Sequence, residues 1–123
     1  MINFPPHKSD DFMTAPIFET EKALNRVHNK KDLLERVIDI FVKSLMERKD
    51  VIERELNNEN WETLATMAHS IKGSSWTIGA QRLGNIAYKM EKAADQKDLA
   101  FFRQLFEIFK TCVQQFIEFD KKL

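Results

Sequence analysis

A histidine, a lysine, a glycine and two serines stand close together in "AHSIKGSSWTIGA", residues 68 to 80. On a helix, His69, Lys72 and Gly73 fall three and four residues apart and share one patch of surface. An imidazole is nucleophilic near neutral pH because much of it is unprotonated there. Lys72 places a cation within reach of anything attached to that ring. Ala65 and Gly73, one turn to either side, are small. A glycine inside a helix costs about 1 kcal/mol relative to alanine, and its use here is to let another molecule approach closely. The pattern is an exposed nucleophile with cleared ground beside it and a positive charge to hold an anion.

The phase of the helix supports the exposure. At ~100° per residue, Trp61, Leu64, Met67, Ala68, Ile71 and Ser75 form one apolar stripe. His69 lies roughly 130° from its centre. A histidine buried and hydrogen-bonded in the core would not stand there.

Other chemistries are weakly supported. His7 and His28 lie in other segments, Cys112 lies on an apolar stripe, and no HxxxH or CxxC occurs, so no metal is expected. A Ser-His-Asp hydrolase needs an elbow, an oxyanion hole and a pocket. A narrow bundle supplies none of these, and Ser74 and Ser75 read as packing hydroxyls. No glycine-rich phosphate loop exists, so the chain is not expected to bind a nucleotide or any cofactor of its own. Transfer of a phosphoryl group supplied by another protein fits what remains. That reaction needs mainly in-line positioning and charge neutralisation.

The elements that must position these residues are helices. The 123 residues suit one domain. All three prolines lie before Ile17, which leaves the rest of the chain nearly free of helix breakers. Residues 1 to 15 are expected to form a flexible arm, with Phe4, Phe12 and Phe18 docking on the body. A short helix is predicted from Pro16 to about Val27. A second starts after Asn29 as N-cap, with Leu34, Ile38, Phe41, Leu45, Ile52 and Leu56 at helical spacing. Arg48 and Lys49 occupy core-phase positions there. Either the helix bends or leaves the core near 46 to 50, or the long basic side chains snorkel from its edge.

Asn60 caps the third helix, and Gly79 ends it as a left-handed residue. The fourth carries Leu83, Ile86, Ala87, Met90 and Ala94. Asp98 caps the last, which lines one face with Phe102, Leu105, Phe106, Phe109, Val113, Phe116 and Ile117. The fold class expected over 16–123 is therefore all-α, an antiparallel four-helix bundle with a short additional N-terminal helix.

Composition bounds the setting. Lys plus Arg and Asp plus Glu balance at 19 each, which argues against nucleic-acid or anionic-membrane binding. One cysteine precludes an internal disulfide. No apolar run long enough to span a membrane and no signal peptide occurs, so the chain reads as cytoplasmic. The separate arm and initial Met favour a free-standing protein over the tail of a hybrid kinase.

The stretch "AHSIKGSSWTIGAQRLGNIAYKME" resembles the signature of histidine-containing phosphotransfer (HPt) domains. The resemblance implies that His69 is the phosphoacceptor, Lys72 a phosphate contact and Gly73 the opening for a partner. It makes Ser74 and Ser75 packing and hydrogen-bonding positions. Glu91 matches the position whose carboxylate or amide holds the second imidazole nitrogen; the rival reading is a plain surface glutamate. Trp76 departs from the family, which often has a smaller residue there. It either packs on the fourth helix or narrows access to His69, and packing is favoured.

The resemblance further implies a monomeric phosphorelay carrier rather than an enzyme. His69 would take a phosphoryl group from a receiver-domain aspartate and pass it to another. The partners implied are response-regulator receiver domains and a hybrid sensor histidine kinase. Mg²⁺ is expected on the partner receiver. A helical adaptor that binds receivers or kinases without passing phosphate is the alternative.

Overall fold

The alternation of apolar stripes with short polar turns sets the architecture. The computed structural model describes residues 14–122, and among them five helices occur. They are α1 (Thr20–Arg26), α2 (Lys31–Asn57), α3 (Trp61–Ile78), α4 (Gln81–Asp95) and α5 (Leu99–Lys121). The last four are joined by turns of two or three residues, so neighbours run antiparallel. The α3–α4 pair packs most extensively; α4 also packs on α5 and α3 on α2. This is the expected all-α bundle with a short extra helix.

Local chemistry explains the ends. The Asn60 side chain accepts a hydrogen bond from the Thr63 amide, and Asp98 accepts one from Phe101 at 3.1 Å. Gly79 ends α3 at φ 97°, and the amides of Gly79 and Ala80 satisfy the Ser75 carbonyl. A side chain at that φ is strained, so Gly79→Ala is expected to lower stability by about 1–2 kcal/mol, read from a urea-unfolding midpoint. An unchanged midpoint would show that the turn relaxes freely.

Two expectations need correcting. Asn29 does not cap α2. It adopts the left-handed conformation at φ 61°, which asparagine tolerates, and its amide bonds the Leu24 carbonyl to close α1. Lys30, in the extended region, takes the cap position with no side-chain bond. Nor does Pro16 start α1. The segment before Thr20 is tied down as a strap: Arg82 donates to the Ala15 and Pro16 carbonyls at 3.0 Å each, and the Glu19 amide donates to Gly79 at 2.9 Å.

Of the alternatives open at 46 to 50, snorkelling holds: α2 runs unbroken for 27 residues, with Ile52 and Leu56 still buried. Arg48 bonds Ser44 one turn back and Lys49 lies 3.4 Å from Asp50, so both long side chains lie along the helix edge. The expected arm over 1–15, with Phe4 and Phe12, lies outside the described residues except for its last two.

The core is filled by α5. Phe102, Phe109 and Phe116 are buried, with Ile38, Leu45, Ile52, Leu64, Ile71 and Ile86 opposite. Phe18 is buried too and meets Phe116 edge-on at 5.5 Å, so the strap does cover the wide face of α5. Cys112 is buried in the same face, and burial pushes its thiol up to about 11, which makes it unreactive. Among the described residues no helix is long and apolar enough to cross a membrane.

Candidate functional site

The site lies on the α3–α4 pair. Small buried residues on both helices, Ala68 on α3 and Ala87 on α4, suit a close approach. The two-residue turn at Gly79 and Ala80 folds α4 back along α3, which brings Glu91 opposite His69 and Lys72.

His69 points outward, as its phase requires: its side chain is 68% exposed. Its Nδ1 lies 2.8 Å from Glu91 Oε2. Lys72, with only 18% of its side chain exposed, donates from Nζ to Glu91 Oε1 at 2.7 Å. One carboxylate thus serves two partners with its two oxygens. Burial alone would push the Glu91 carboxyl up. The hydrogen bonds from Lys72 and His69, and their charges, outweigh it and hold the group below its ordinary value. At neutral pH Glu91 is therefore ionised and can only accept. His69 must donate from Nδ1, which leaves the Nε2 lone pair free at the exposed end of the ring. Glu91 is thus no plain surface residue.

A Cβ built on Gly73 meets nothing within 4 Å, so open space lies directly beside the imidazole. The other small neighbour, Ala65, is partly buried against the core, so the clearance is at Gly73 alone. The serines divide. Ser74 bonds the carbonyls of Ser70 and Ile71 within α3 at 3.0 and 3.3 Å. Ser75 is fully buried, and its hydroxyl has no hydrogen-bond partner among the described residues. It is a packing residue only.

Trp76 packs on α4, as favoured. Its Nε1 donates to Asn85 Oδ1 at 3.0 Å and its ring lies 6.2 Å from that of Tyr88. The fit depends on Gly84: a Cβ there would lie 2.0 Å from Trp76 Cδ1. Sequence reasoning missed this socket. The available signal was a glycine inside a helix, eight residues after an unusually bulky tryptophan. Among the described residues no group of three or more His, Cys, Asp or Glu is placed to hold a metal ion.

Comparisons with known proteins follow the same lines. The family model described as the Hpt domain matches residues 36–119, which span most of α2 through α5 and include all four site residues. The crystal structure of histidine-containing phosphotransfer protein B (HptB) from Pseudomonas aeruginosa PAO1 is similar in fold, with a TM-score of 0.79 at 24% identity. The match covers 89% of this chain and 96% of that one. No curated protein matches the sequence.

Proposed function

We propose a role for each site residue from the premise that this chain belongs to the Hpt domain family, the phosphotransfer carriers of two-component signalling. His69 Nε2 accepts a phosphoryl group from the aspartyl phosphate of a receiver domain and returns it to the aspartate of another. The Nε2 lone pair forms the N–P bond. The P–O bond of the acyl phosphate breaks, and the receiver carboxylate leaves with the electron pair. The Nδ1 proton stays in place, and the Glu91 carboxylate faces the positive ring that results. Lys72 contacts the phosphoryl oxygens, and Gly73 leaves room for the receiver. Mg²⁺ held by the receiver supplies the remaining charge neutralisation.

The observation that carries this reading is the 2.8 Å contact of Glu91 with Nδ1 of a ring that is otherwise exposed. Leu33, Val37 and Ile40, exposed at helical spacing on α2, form an apolar patch that a partner could cover. The chain acts as a carrier without kinase activity, in the cytoplasm where receivers work. Incubation with a phosphorylated receiver is expected to place an acid-labile, alkali-stable phosphoryl group on the protein. No transfer from any receiver would favour the adaptor.

Glu91 gives a second test. Glu91→Gln keeps the shape and removes the charge, so transfer is expected to slow by about 10-fold while the fold persists. The pH dependence has a definite sign. A carboxyl depressed in the folded state contributes stability above its unfolded value of about 4.3 and loses it as pH falls through the folded value. The stability gap between wild type and Glu91→Gln should therefore be constant near neutrality and close in acid. A gap that widened in acid would reverse the assignment.

A further inference from the structure

Lys72 is held by more than Glu91. Its ammonium lies 5.9 Å from the centre of the Trp76 ring and 5.6 Å from that of Tyr88, within the range of cation–π attraction. The two rings are tilted by 34° at 6.2 Å. Trp76 is itself fixed, by its bond to Asn85 and by the absence of a side chain at Gly84. Yet the residue remains 42% exposed beside the site. Packing alone does not account for an indole so firmly anchored and so incompletely covered.

The chemistry of the lysine gives it a use. A lysine side chain is a compact charge on a flexible four-carbon stem, and holding it still costs rotamer entropy. Aromatic faces attract the ammonium without carrying a charge. They keep it near His69 without adding a negative charge beyond that of Glu91 for an incoming anion to compete with. A second carboxylate would hold it as well but would add such a charge. We infer that Trp76, seated in the Gly84 socket and paired with Tyr88, is a positioning residue that presents the Lys72 ammonium to the phosphoryl group on His69. This rests on the carrier reading above. It also gives a physical reason for a large residue at a position where the family often has a small one.

The test separates action through Lys72 from simple packing. The donors are a phosphorylated receiver and, to remove docking, potassium phosphoramidate. With phosphoramidate the imidazole lone pair forms the N–P bond, and ammonia leaves with the electrons of the old one. Phosphohistidine formation is followed by phosphorus NMR in wild type, Trp76→Leu, Trp76→Phe, Lys72→Met and the Trp76→Leu/Lys72→Met double variant.

Trp76→Leu is expected to slow formation about five-fold with both donors, the scale of one cation–π contact. Trp76→Phe retains an aromatic face and should recover most of the rate. In the Lys72→Met background, Trp76→Leu should have no further effect. In the unphosphorylated protein, the Lys72 side-chain methylene protons should be shielded by the rings, and this shielding should vanish in Trp76→Leu. Equal losses with and without Lys72, or no loss at all, would overturn the role of Trp76 while leaving the carrier reading intact. A wild type that accepts phosphate from neither donor would overturn both, even with the lysine protons shielded.

Discussion

His69→Gln is expected to abolish phosphorylation by a receiver, a loss of at least about a thousand-fold, since nothing else replaces a missing nucleophile. Gln suits the purpose because it keeps a polar side chain of similar reach. Its amide nitrogen can donate to Glu91 Oε2 where Nδ1 did, but it offers no lone pair to phosphorus. The fold should be untouched. The imidazole is 68% exposed, and among the described residues its polar partner is Glu91. Exposed substitutions of this kind shift stability by about 0.5 kcal/mol or less. Helical circular dichroism and the melting temperature should therefore match wild type, while the alkali-stable phosphoryl signal disappears. Persistent transfer in this variant would move the acceptor elsewhere, and His28 is the other histidine among the described residues.

Gly73→Leu is expected to make the protein more stable and nearly inactive at once. The space around a Cβ at Gly73 is open, with nothing within 4 Å, so the first atom of a side chain enters without a clash. Replacing glycine inside a helix by leucine adds about 0.8 kcal/mol of helix propensity. That corresponds to a melting temperature higher by about 3 °C. The same side chain would stand where the receiver must come. Displacing a reacting atom by even an ångström can cost about 100-fold, and a loss of at least that size is expected for receiver-dependent transfer. Phosphoramidate is small enough to reach Nε2 past a leucine, and its reaction should change little. Loss with both donors would mean that leucine disturbs the imidazole itself. Unchanged transfer from the receiver would mean that the space is not on the docking path.

The sequence carried much of this, because helix phase is set by spacing alone. The outward direction of His69, the buried stripe from Leu64 to Ser75 and the left-handed Gly79 follow from local rules that tertiary packing did not override. Asn60 and Asp98 were legible as caps for the same reason. Asn29 was not. The same side chain serves an N-cap or a left-handed turn, and only the bond from its amide to Leu24 decides between them. Arg48 and Lys49 left two readings open because phase does not record where a long side chain ends.

The site shows the same division. His69, Lys72 and Gly73 lie on one helix and their relation is fixed by sequence separation. Glu91 lies on another, and its choice of partners depends on the register of α4 against α3. Gly84 was missed for a related reason: its role is defined by what fills the space above it, and that is Trp76.

The division of the Glu91 carboxylate has a consequence for traffic through the cell. Lys72 is not a bare cation waiting for any anion that drifts past. Its charge is already answered at 2.7 Å, and the second oxygen of the same carboxylate sits 2.8 Å from the imidazole. Free phosphate, nucleotides and acidic metabolites are therefore expected to bind weakly, since the Glu91 carboxylate already occupies the ammonium. A phosphoryl group delivered covalently to Nε2 is different, because it is tethered beside the ammonium and competes for it at high local concentration. On the proposed reading the carrier would thereby be insulated: quiet toward the anions that surround it, and responsive to the one that arrives bonded.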